Sequence, residues 1–300
     1  MLQVKHLCKK LTDKNHVFRI EDVTFRLPKG HIYGLIGENG AGKTSLIRLL
    51  CGLYEMDNGE IVIDGCSMAE NERDAKSKLG LVLDESFYDK EMTLEKIGYH
   101  YGDMYTEFSM EQYLKLLSRF QLDKKSKFKT LSKGKAIKVQ LAFALSHNAK
   151  CFLFDEPTAG LDKAFREEFL RICAELVSDG VRSILISSHI TGDLDRIADY
   201  IGYIQQGKLL FSCTKEYLSD RFLIVQGEDY KCRSIHKEAV VYMEKGEYST
   251  SGMVICSKHF TMDEALENHK PDIREFMYYF VKGGREHAEA IAEKIVEEDD

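Results

Sequence analysis

The sequence has no long hydrophobic run. None of its apolar stretches approaches the roughly 18 residues that a membrane-crossing helix needs. The amino-terminal residues also lack the pattern of a secretory signal peptide. We therefore expect a chain that does not itself cross a membrane. If it works at a membrane, other chains must cross it.

An excess of positive charge is missing too. The 42 lysines and arginines are outnumbered by 49 acidic residues, which leaves a formal net charge of -7. Dedicated nucleic-acid binders usually carry a basic surface, so the composition disfavours nucleic acid as a partner. The eight cysteines include no CxxC pair, and several lie in apolar runs where a reduced thiol packs as a small hydrophobe. With 44% hydrophobic residues, the 300-residue chain can bury one large core and a small additional unit.

What the sequence does contain is a glycine-rich loop that reads GENGAGKT and follows a short apolar run. Its glycines can adopt backbone angles closed to other residues, so that successive N–H groups turn inward around phosphates. Lys43 adds a cation for the β- and γ-phosphates, and Thr44 offers a hydroxyl to Mg²⁺ at the start of a helix. The alternative is a glycine-rich turn without a ligand. The predicted nucleotide-binding residues of this loop are Gly37, Glu38, Asn39, Gly40, Ala41, Gly42, Lys43, Thr44 and Ser45.

A second apolar run, residues 151–154, leads directly into Asp155 and Glu156. This pattern predicts a buried parallel strand that ends in two acids. In nucleotide hydrolases with such a loop, the first acid holds Mg²⁺ through water and the second draws a proton from the attacking water. Taken alone, an acidic pair after a strand is more often a solvated loop or a helix cap. The glycine-rich loop favours the functional interpretation.

Further short motifs occur around these two. The segment 131–135 reads LSKGK and precedes a periodic stretch, 159–162 reads AGLD, and the apolar run 183–188 ends at His189. In this order and spacing the chain resembles the ATP-binding subunits of ABC transporters over about residues 1–215. The resemblance implies that 37–44 is the Walker A loop and 151–155 the Walker B strand. It also implies that 131–135 is the signature, 159–162 the D-loop and His189 the switch histidine.

By that resemblance the ligands are ATP and Mg²⁺. Lys43 would hold the phosphates, Glu156 would polarise the attacking water, and His189 would contact the γ-phosphate. Thr44 and Asp155 would hold Mg²⁺. These are the expected catalytic and metal-binding residues, together with Asp84, which is considered below.

The family works as a head-to-tail pair, because the signature of one chain acts on the nucleotide of the other. Ser132 and Gly134 would cap the γ-phosphate bound by a second ATPase subunit, identical or different, with their amides at the start of a helix from Ala136. The resemblance also implies a transmembrane permease subunit as partner. The expected location is cytoplasmic, peripheral on the inner face of the cell membrane, and no nucleic acid is expected.

The chain departs from the family pattern in several places. The signature usually reads LSGGQ, whereas Lys133 and Lys135 replace a glycine and the glutamine here. These cations lie either near the partner's γ-phosphate or in solvent. Asp84 stands where the family has the Q-loop glutamine, and a carboxylate is a good ligand for Mg²⁺, which predicts a metal-side role. Leu11 replaces the tyrosine that stacks on adenine, so either ATP binds weakly or another aromatic such as Phe18 substitutes.

These observations predict an α/β fold, a P-loop NTPase of the ABC ATPase type. We expect a cassette over 1–215 with a β-rich amino-terminal flank and a helical insert at about 86–145. A small carboxyl-terminal α/β appendage (216–285) and a charged tail (286–300) would follow.

The predicted function is the ATP-hydrolysing motor subunit of an ABC transporter. Asp84, the phrase LSHNAK at 145–150 and the segment 271–283 favour likeness to bacterial exporter ATPases for antibiotic peptides and drugs. The alternative is a soluble ABC ATPase that remodels ribosomes or DNA. Such proteins usually carry two cassettes or a long coiled coil, and this chain has one cassette and no sustained heptads. A nucleotide-sensing regulator without turnover is disfavoured by Glu156 and His189.

Overall fold

The computed structural model describes residues 1–13, 16–189, 191–256 and 266–283. The predicted charged tail, 286–300, lies outside these residues. The chain divides into two compact units, Met1–His189 with Ile204–Leu209, and Ile190–Tyr203 with Leu210–Asp300. The predicted domain boundary at 215 falls within the second unit, and the domain organisation stays a prediction.

The strands are β1 (Leu2–Asp13), β2 (His16–Leu27), β3 (Ile32–Ile36), β4 (Asn58–Ile63), β5 (Cys66–Ser67), β6 (Leu79–Val82), β7 (Cys151–Asp155), β8 (Ser183–Ser188), β9 (Tyr200–Gln205), β10 (Lys208–Thr214), β11 (Phe222–Gly227), β12 (Val240–Lys245), β13 (Thr250–Ile255) and β14 (Glu267–His269). The α-helices are α1 (Lys43–Leu50), α2 (Glu72–Ser77), α3 (Leu94–Gly102), α4 (Met110–Arg119), α5 (Lys133–Ala144), α6 (Lys163–Val177), α7 (Thr191–Ile197), α8 (Lys215–Arg221), α9 (Asp229–Cys232) and α10 (Ile273–Lys282). Short 3-10 turns occur at Phe128–Thr130 and Lys237–Ala239.

The first unit contains a parallel sheet in which β3, β8, β7 and β6 are neighbours in that order. Every residue of β3, β7 and β8 is buried, as expected of parallel strands covered on both faces. Since parallel strands end at the same edge, the residues that follow β3, β7 and β8 come together there. This sheet confirms the predicted α/β class.

The first unit also contains an antiparallel sheet of the order β2-β1-β4-β5. Its long first hairpin pairs Leu11 with Phe18. Alternate residues of β1 such as Leu2 and Val4 are fully buried, because one face of an antiparallel sheet packs on the core. This sheet is the predicted β-rich flank.

Helix α5 carries a polar side chain at a buried position. The Gln140 side chain is 5% exposed. Its Oε1 accepts a hydrogen bond from the Leu83 N–H at 3.0 Å, and its Nε2 donates to the Leu83 carbonyl at 2.9 Å. The amide thus satisfies both backbone groups of a residue that follows β6, where no strand partner does so. The segment after β6 is fixed to α5 in this way.

The start of α5 corrects the sequence-based expectation. The helix begins at Lys133 rather than Ala136, with Ser132 as its N-cap and the Ser132 Oγ accepting from the Lys135 N–H at 3.4 Å. The apolar periodicity begins only at Ala136 because the first turn is exposed or half-buried and therefore polar. A cap residue, not the apolar pattern, determines where this helix starts.

The second unit contains an antiparallel sheet of the order β12-β13-β11-β14 and helix α10. A capping box between Asp272 and Glu275 starts α10, and the Ile273 N–H also donates to the Asp195 carboxylate at 3.0 and 3.1 Å. Within the part of the chain that the structure describes, no helix is long and apolar enough to cross a membrane.

We expect Gln140→Met to destabilise the protein. The variant keeps a similar volume but leaves the Leu83 N–H and carbonyl without their partner, and each buried unsatisfied group costs about 1–3 kcal/mol. The free energy of unfolding from urea denaturation should therefore fall by about 2–6 kcal/mol. Gln112→Met is the matched control, since Gln112 is exposed on α4. An equal loss in both variants would contradict the assignment.

Candidate nucleotide site

A cavity of about 420 Å³ opens at the edge of the parallel sheet where β3, β7 and β8 end. It gathers most of the residues predicted for nucleotide binding and catalysis. The cavity is lined by Leu11, Phe18, Glu38, Asn39, Gly40, Gly42, Lys43, Thr44, Ser45, Asp84, Lys133, Glu156, Ala159 and His189. The predicted residues Gly37, Ala41, Asp155, Ser132 and Gly134 are not on its surface.

The glycine-rich loop needs its glycines for two different reasons. Gly40 and Gly42 have φ angles of 81° and 114°, in the left-handed region that glycine adopts without a steric penalty. Gly42 is also the N-cap of α1, and a Cβ atom there would lie 2.9 Å from the Cζ atom of Phe18. The loop then turns directly into α1, whose positive end faces the cavity.

Lys43 lies at the centre of this loop and is 6% exposed. Its Nζ donates to the carbonyl of Gly37 at 2.7 Å and to that of Glu38 at 3.2 Å. The same atom lies 3.6 Å from Oε1 of Glu156. A buried cation in a glycine-rich loop is one of the donors that a polyphosphate requires.

The two acids after β7 are positioned by a serine of the neighbouring strand. Ser187 Oγ donates to Asp155 Oδ1 at 2.6 Å and accepts from the Glu156 N–H at 3.0 Å. Asp155 and Ser187 are register partners, and both are buried. Glu156 has φ 48°, a left-handed conformation that costs a residue with a side chain about 1–3 kcal/mol and is typical of functional sites.

Glu156 connects the loop lysine to the switch histidine. Its Oε2 accepts a hydrogen bond from Nδ1 of His189 at 2.6 Å, and the His189 N–H donates to the same oxygen at 3.3 Å. Because a carboxylate only accepts, Nδ1 carries the proton in this bond. Lys43, Glu156 and His189 therefore form one connected group at the cavity, as expected of residues that act on the same reacting atoms.

Asp84 reaches the cavity, but its carboxylate already has a partner. It forms an ion pair with Nζ of Lys133 from the signature segment of the same chain. Lys135, two residues further along, is exposed and does not line the cavity. In the single chain, Lys133 therefore lies at the chain's own cavity, which neither of the two sequence-based alternatives anticipated. A metal-side role of Asp84 stays a prediction.

The remaining signature and D-loop residues lie against one another. A Cβ atom on Gly134 would be 2.9 Å from the carbonyl oxygen of Gly160. Asp162 is the N-cap of α6, where its Oδ1 accepts from the Phe165 N–H at 2.9 Å, and this bond lowers the pKa of the carboxyl. Ser132 is exposed. Ser132 and Gly134, which the resemblance assigns to the nucleotide of a second chain, thus lie outside the cavity, whereas Lys133 and Ala159 of the same two motifs line it.

Leu11 and Phe18, the two candidates near the adenine, both line the cavity and face each other across the first hairpin. Phe18 is the aromatic member of the pair, and its ring packs beside Gly42. Stacking of adenine on Phe18 in place of the usual tyrosine stays a prediction.

Sequence reasoning missed Ser187 and Gln140. Both are polar residues inside otherwise apolar segments, and that pattern was a usable signal, because a buried polar side chain needs a specific partner. What the pattern does not contain is the identity of the partner, Asp155 or Leu83.

Comparison with known proteins gives the family of the chain. A family model described as ABC transporter matches residues 20–159. The chain is 30% identical over 228 residues to the ABC transporter ATP-binding protein YtrB of Bacillus subtilis, which covers 75% of this chain and 76% of YtrB. It is 32% identical over 224 residues to the lantibiotic transport ATP-binding protein SrtF of Streptococcus pyogenes, covering 72% and 91%. The chain belongs to the ABC transporter ATP-binding proteins.

Solved structures agree with this ABC ATPase assignment. The chain is similar to the ATP-binding subunit of an ABC transporter, with a TM-score of 0.65, 28% identity and coverage of 73% and 91%. The fold also matches a dimeric ATP-binding cassette in a post-hydrolysis state with ADP and phosphate, at a TM-score of 0.64, 19% identity and coverage of 71% and 98%. The protein is an ATPase of the ABC type, and ATP is its nucleotide.

We expect Ser187→Ala to lower the rate of ATP hydrolysis in this ABC ATPase. The variant removes a hydrogen bond to the Asp155 carboxylate, worth about 1.5–3 kcal/mol, and one of the two acceptors of the Glu156 N–H, whose other acceptor is the Ser187 carbonyl at 3.2 Å. The expected result is a kcat at least about tenfold lower, with a smaller change in KM, measured by phosphate release. Ser183→Ala is the matched control: Ser183 is equally buried on β8, but its Oγ donates to the Pro28 carbonyl. Equal losses of kcat would contradict a positioning role.

Proposed function

We propose that this ATPase is the motor subunit of an ABC exporter, docked on a separate membrane permease at the cytoplasmic face of the cell membrane. It would work through ATP-dependent pairing with a second ATPase subunit. The relative SrtF is a lantibiotic transport protein by name, which supports the exporter class for this chain. The observation that supports hydrolysis rather than mere binding is the connected group of Lys43, Glu156 and His189.

The residues present fit ATP with Mg²⁺. Lys43 and the loop amides offer donors to the phosphates, and Thr44 and Asp155 offer the hard oxygen atoms that Mg²⁺ prefers. When bound, Mg²⁺ neutralises charge on the phosphate oxygens. Asp84 lines the same cavity, and we propose that it adds a further oxygen on the metal side.

The chain's own residues then have distinct roles in hydrolysis. Glu156 accepts a proton from the attacking water, and its position depends on Ser187 through the backbone N–H. His189 donates through Nδ1 to Glu156, and Nε2 is the ring nitrogen left to contact the γ-phosphate. Because phosphate oxygens only accept, Nε2 must also carry a proton in that contact, so the ring would act there as an imidazolium. Lys43 stabilises the charge that builds up on the transferred phosphoryl group.

Pairing of two subunits would bring Ser132 and Gly134 of one chain to the cavity of the other. Ser132 is exposed and Gly134 is not on the cavity surface, so neither lines the chain's own site. A second chain in the opposite orientation would bring these residues to the γ-phosphate. ATP would then hold the pair together, and hydrolysis would remove that contact. The similar fold of a dimeric cassette supports this arrangement.

We expect Glu156→Gln to abolish turnover and retain ATP. Loss of a general base costs about 10²–10⁴-fold in rate, whereas the phosphate-binding loop is unchanged. With Mg²⁺-ATP the variant should elute as a dimer in gel filtration, and phosphate release should fall at least about 100-fold. Lys43→Met should lose ATP binding and dimerisation together.

Glu168→Gln is the control for this experiment, because Glu168 lies on α6 in a surface ion pair with Arg119. It should retain turnover. A Glu156→Gln protein that hydrolyses ATP normally would refute the assigned base. Co-purification of the chain from membranes tests the permease: the expected result is a bound transmembrane chain, and exclusive recovery with ribosomes would refute the exporter proposal.

We expect Phe18→Ala to weaken ATP binding. Stacking of a base on an aromatic ring is worth about 1–3 kcal/mol, which corresponds to a Kd increase of about 5- to 150-fold in a titration with a fluorescent ATP analogue. Val17→Ala is the control, since the adjacent Val17 is 57% exposed and lies on the opposite face of the strand. Unchanged affinity in Phe18→Ala would exclude Phe18 as the adenine platform.

A further inference from the structure

The signature segment directs one of its side chains to the nucleotide cavity of its own chain. Lys133 lines that cavity together with Lys43 and Thr44, while its neighbours Ser132 and Gly134 do not. Its Nζ is paired with the Asp84 carboxylate, which lines the same cavity. The resemblance assigns the signature segment to the nucleotide of the partner chain. In this chain, its Lys133 also lines the chain's own cavity.

The position of this ion pair is fixed from both sides. Gln140 holds both backbone groups of Leu83, the residue before Asp84. The residue after Asp84, Glu85, accepts a hydrogen bond from Nη2 of Arg48 on α1 at 3.0 Å. The backbone beside Asp84 is therefore held mainly by the buried Gln140 amide, with a weaker contribution from the exposed Glu85, and replacing Lys133 changes the charge at the cavity without removing either contact.

We propose that Lys133 is a nucleotide-binding residue of its own chain, a second phosphate-facing cation that Asp84 holds at the cavity. This inference rests on the proposed ATP site. Asp84 orients the ammonium group and at the same time neutralises part of its charge. The lysine and the aspartate should therefore act on the bound polyphosphate in opposite directions.

The expected change in ATP affinity follows from the exposure of the Lys133–Asp84 ion pair. The side chains of Lys133 and Asp84 are 51% and 46% exposed, so water screens their interactions substantially. A triphosphate carries several negative charges, and loss of one half-exposed cation beside it should weaken binding by about three- to tenfold at low ionic strength. Removal of one half-exposed carboxylate should strengthen binding by about two- to fivefold.

The test is ATP affinity of the full chain, measured by isothermal titration at low protein concentration, in EDTA and again with Mg²⁺. The EDTA arm isolates the protein charges from any metal role of Asp84. Lys133→Met should raise the Kd and Asp84→Asn should lower it in EDTA, and the double variant should lie within about twofold of the wild type. Lys133→Arg should restore affinity, and salt at about 0.5 M should reduce all differences.

Lys135→Met is the matched control, because it removes the same charge two positions away from an exposed side chain outside the cavity. Its Kd should equal that of the wild type. The inference is overturned if Lys133→Met binds ATP like the wild type, or if Lys133→Met and Lys135→Met weaken binding equally. Wild-type protein that fails to bind ATP in either arm would instead overturn the proposed function, and this inference with it.

Discussion

The parallel pairing of β3, β8 and β7 is the constraint on which the site depends. Backbone hydrogen bonds between these strands place Leu35 beside Ser187, and Ser187 beside Asp155. The strands are buried throughout, so their register cannot shift without exposing or misplacing the core. The glycine-rich loop follows β3, Glu156 follows β7 and His189 follows β8, so their relative positions depend on this register.

At the buried end of the cavity, the charge of Lys43 is balanced by pairing rather than by exposure to water. Lys43 is nearly buried and lies beside Glu156, which in turn binds His189. A buried unpaired charge would be costly, so the contacts of Lys43 with Glu156 and of Glu156 with His189 offset part of that cost. A polyphosphate with its metal offers new partners to the same groups. This competition gives the site a physical means of responding to the nucleotide.

Polar residues in apolar segments link this site to the surrounding core. Ser187 positions both acids from a neighbouring strand, and Gln140 attaches the segment before Asp84 to α5. Each satisfies groups that would otherwise be buried without a partner. Because α5 also begins with the signature, the Gln140 contacts and the Lys133–Asp84 ion pair join the signature helix to the cavity within one chain.

The sequence by itself determined the local features: the buried parallel strands, the glycine-rich loop, the acids that follow β7, and the family to which the chain belongs. These depend on periodicity and on motifs of contiguous residues, which a linear pattern contains. Only the tertiary structure decided the partners of isolated polar residues, such as Gln140 with Leu83, which lie 57 positions apart. It also decided that α5 starts at Lys133 and that this lysine meets Asp84. Such contacts follow from the packing of distant segments, because side-chain type limits what a residue can bind but not which residue the fold brings to it.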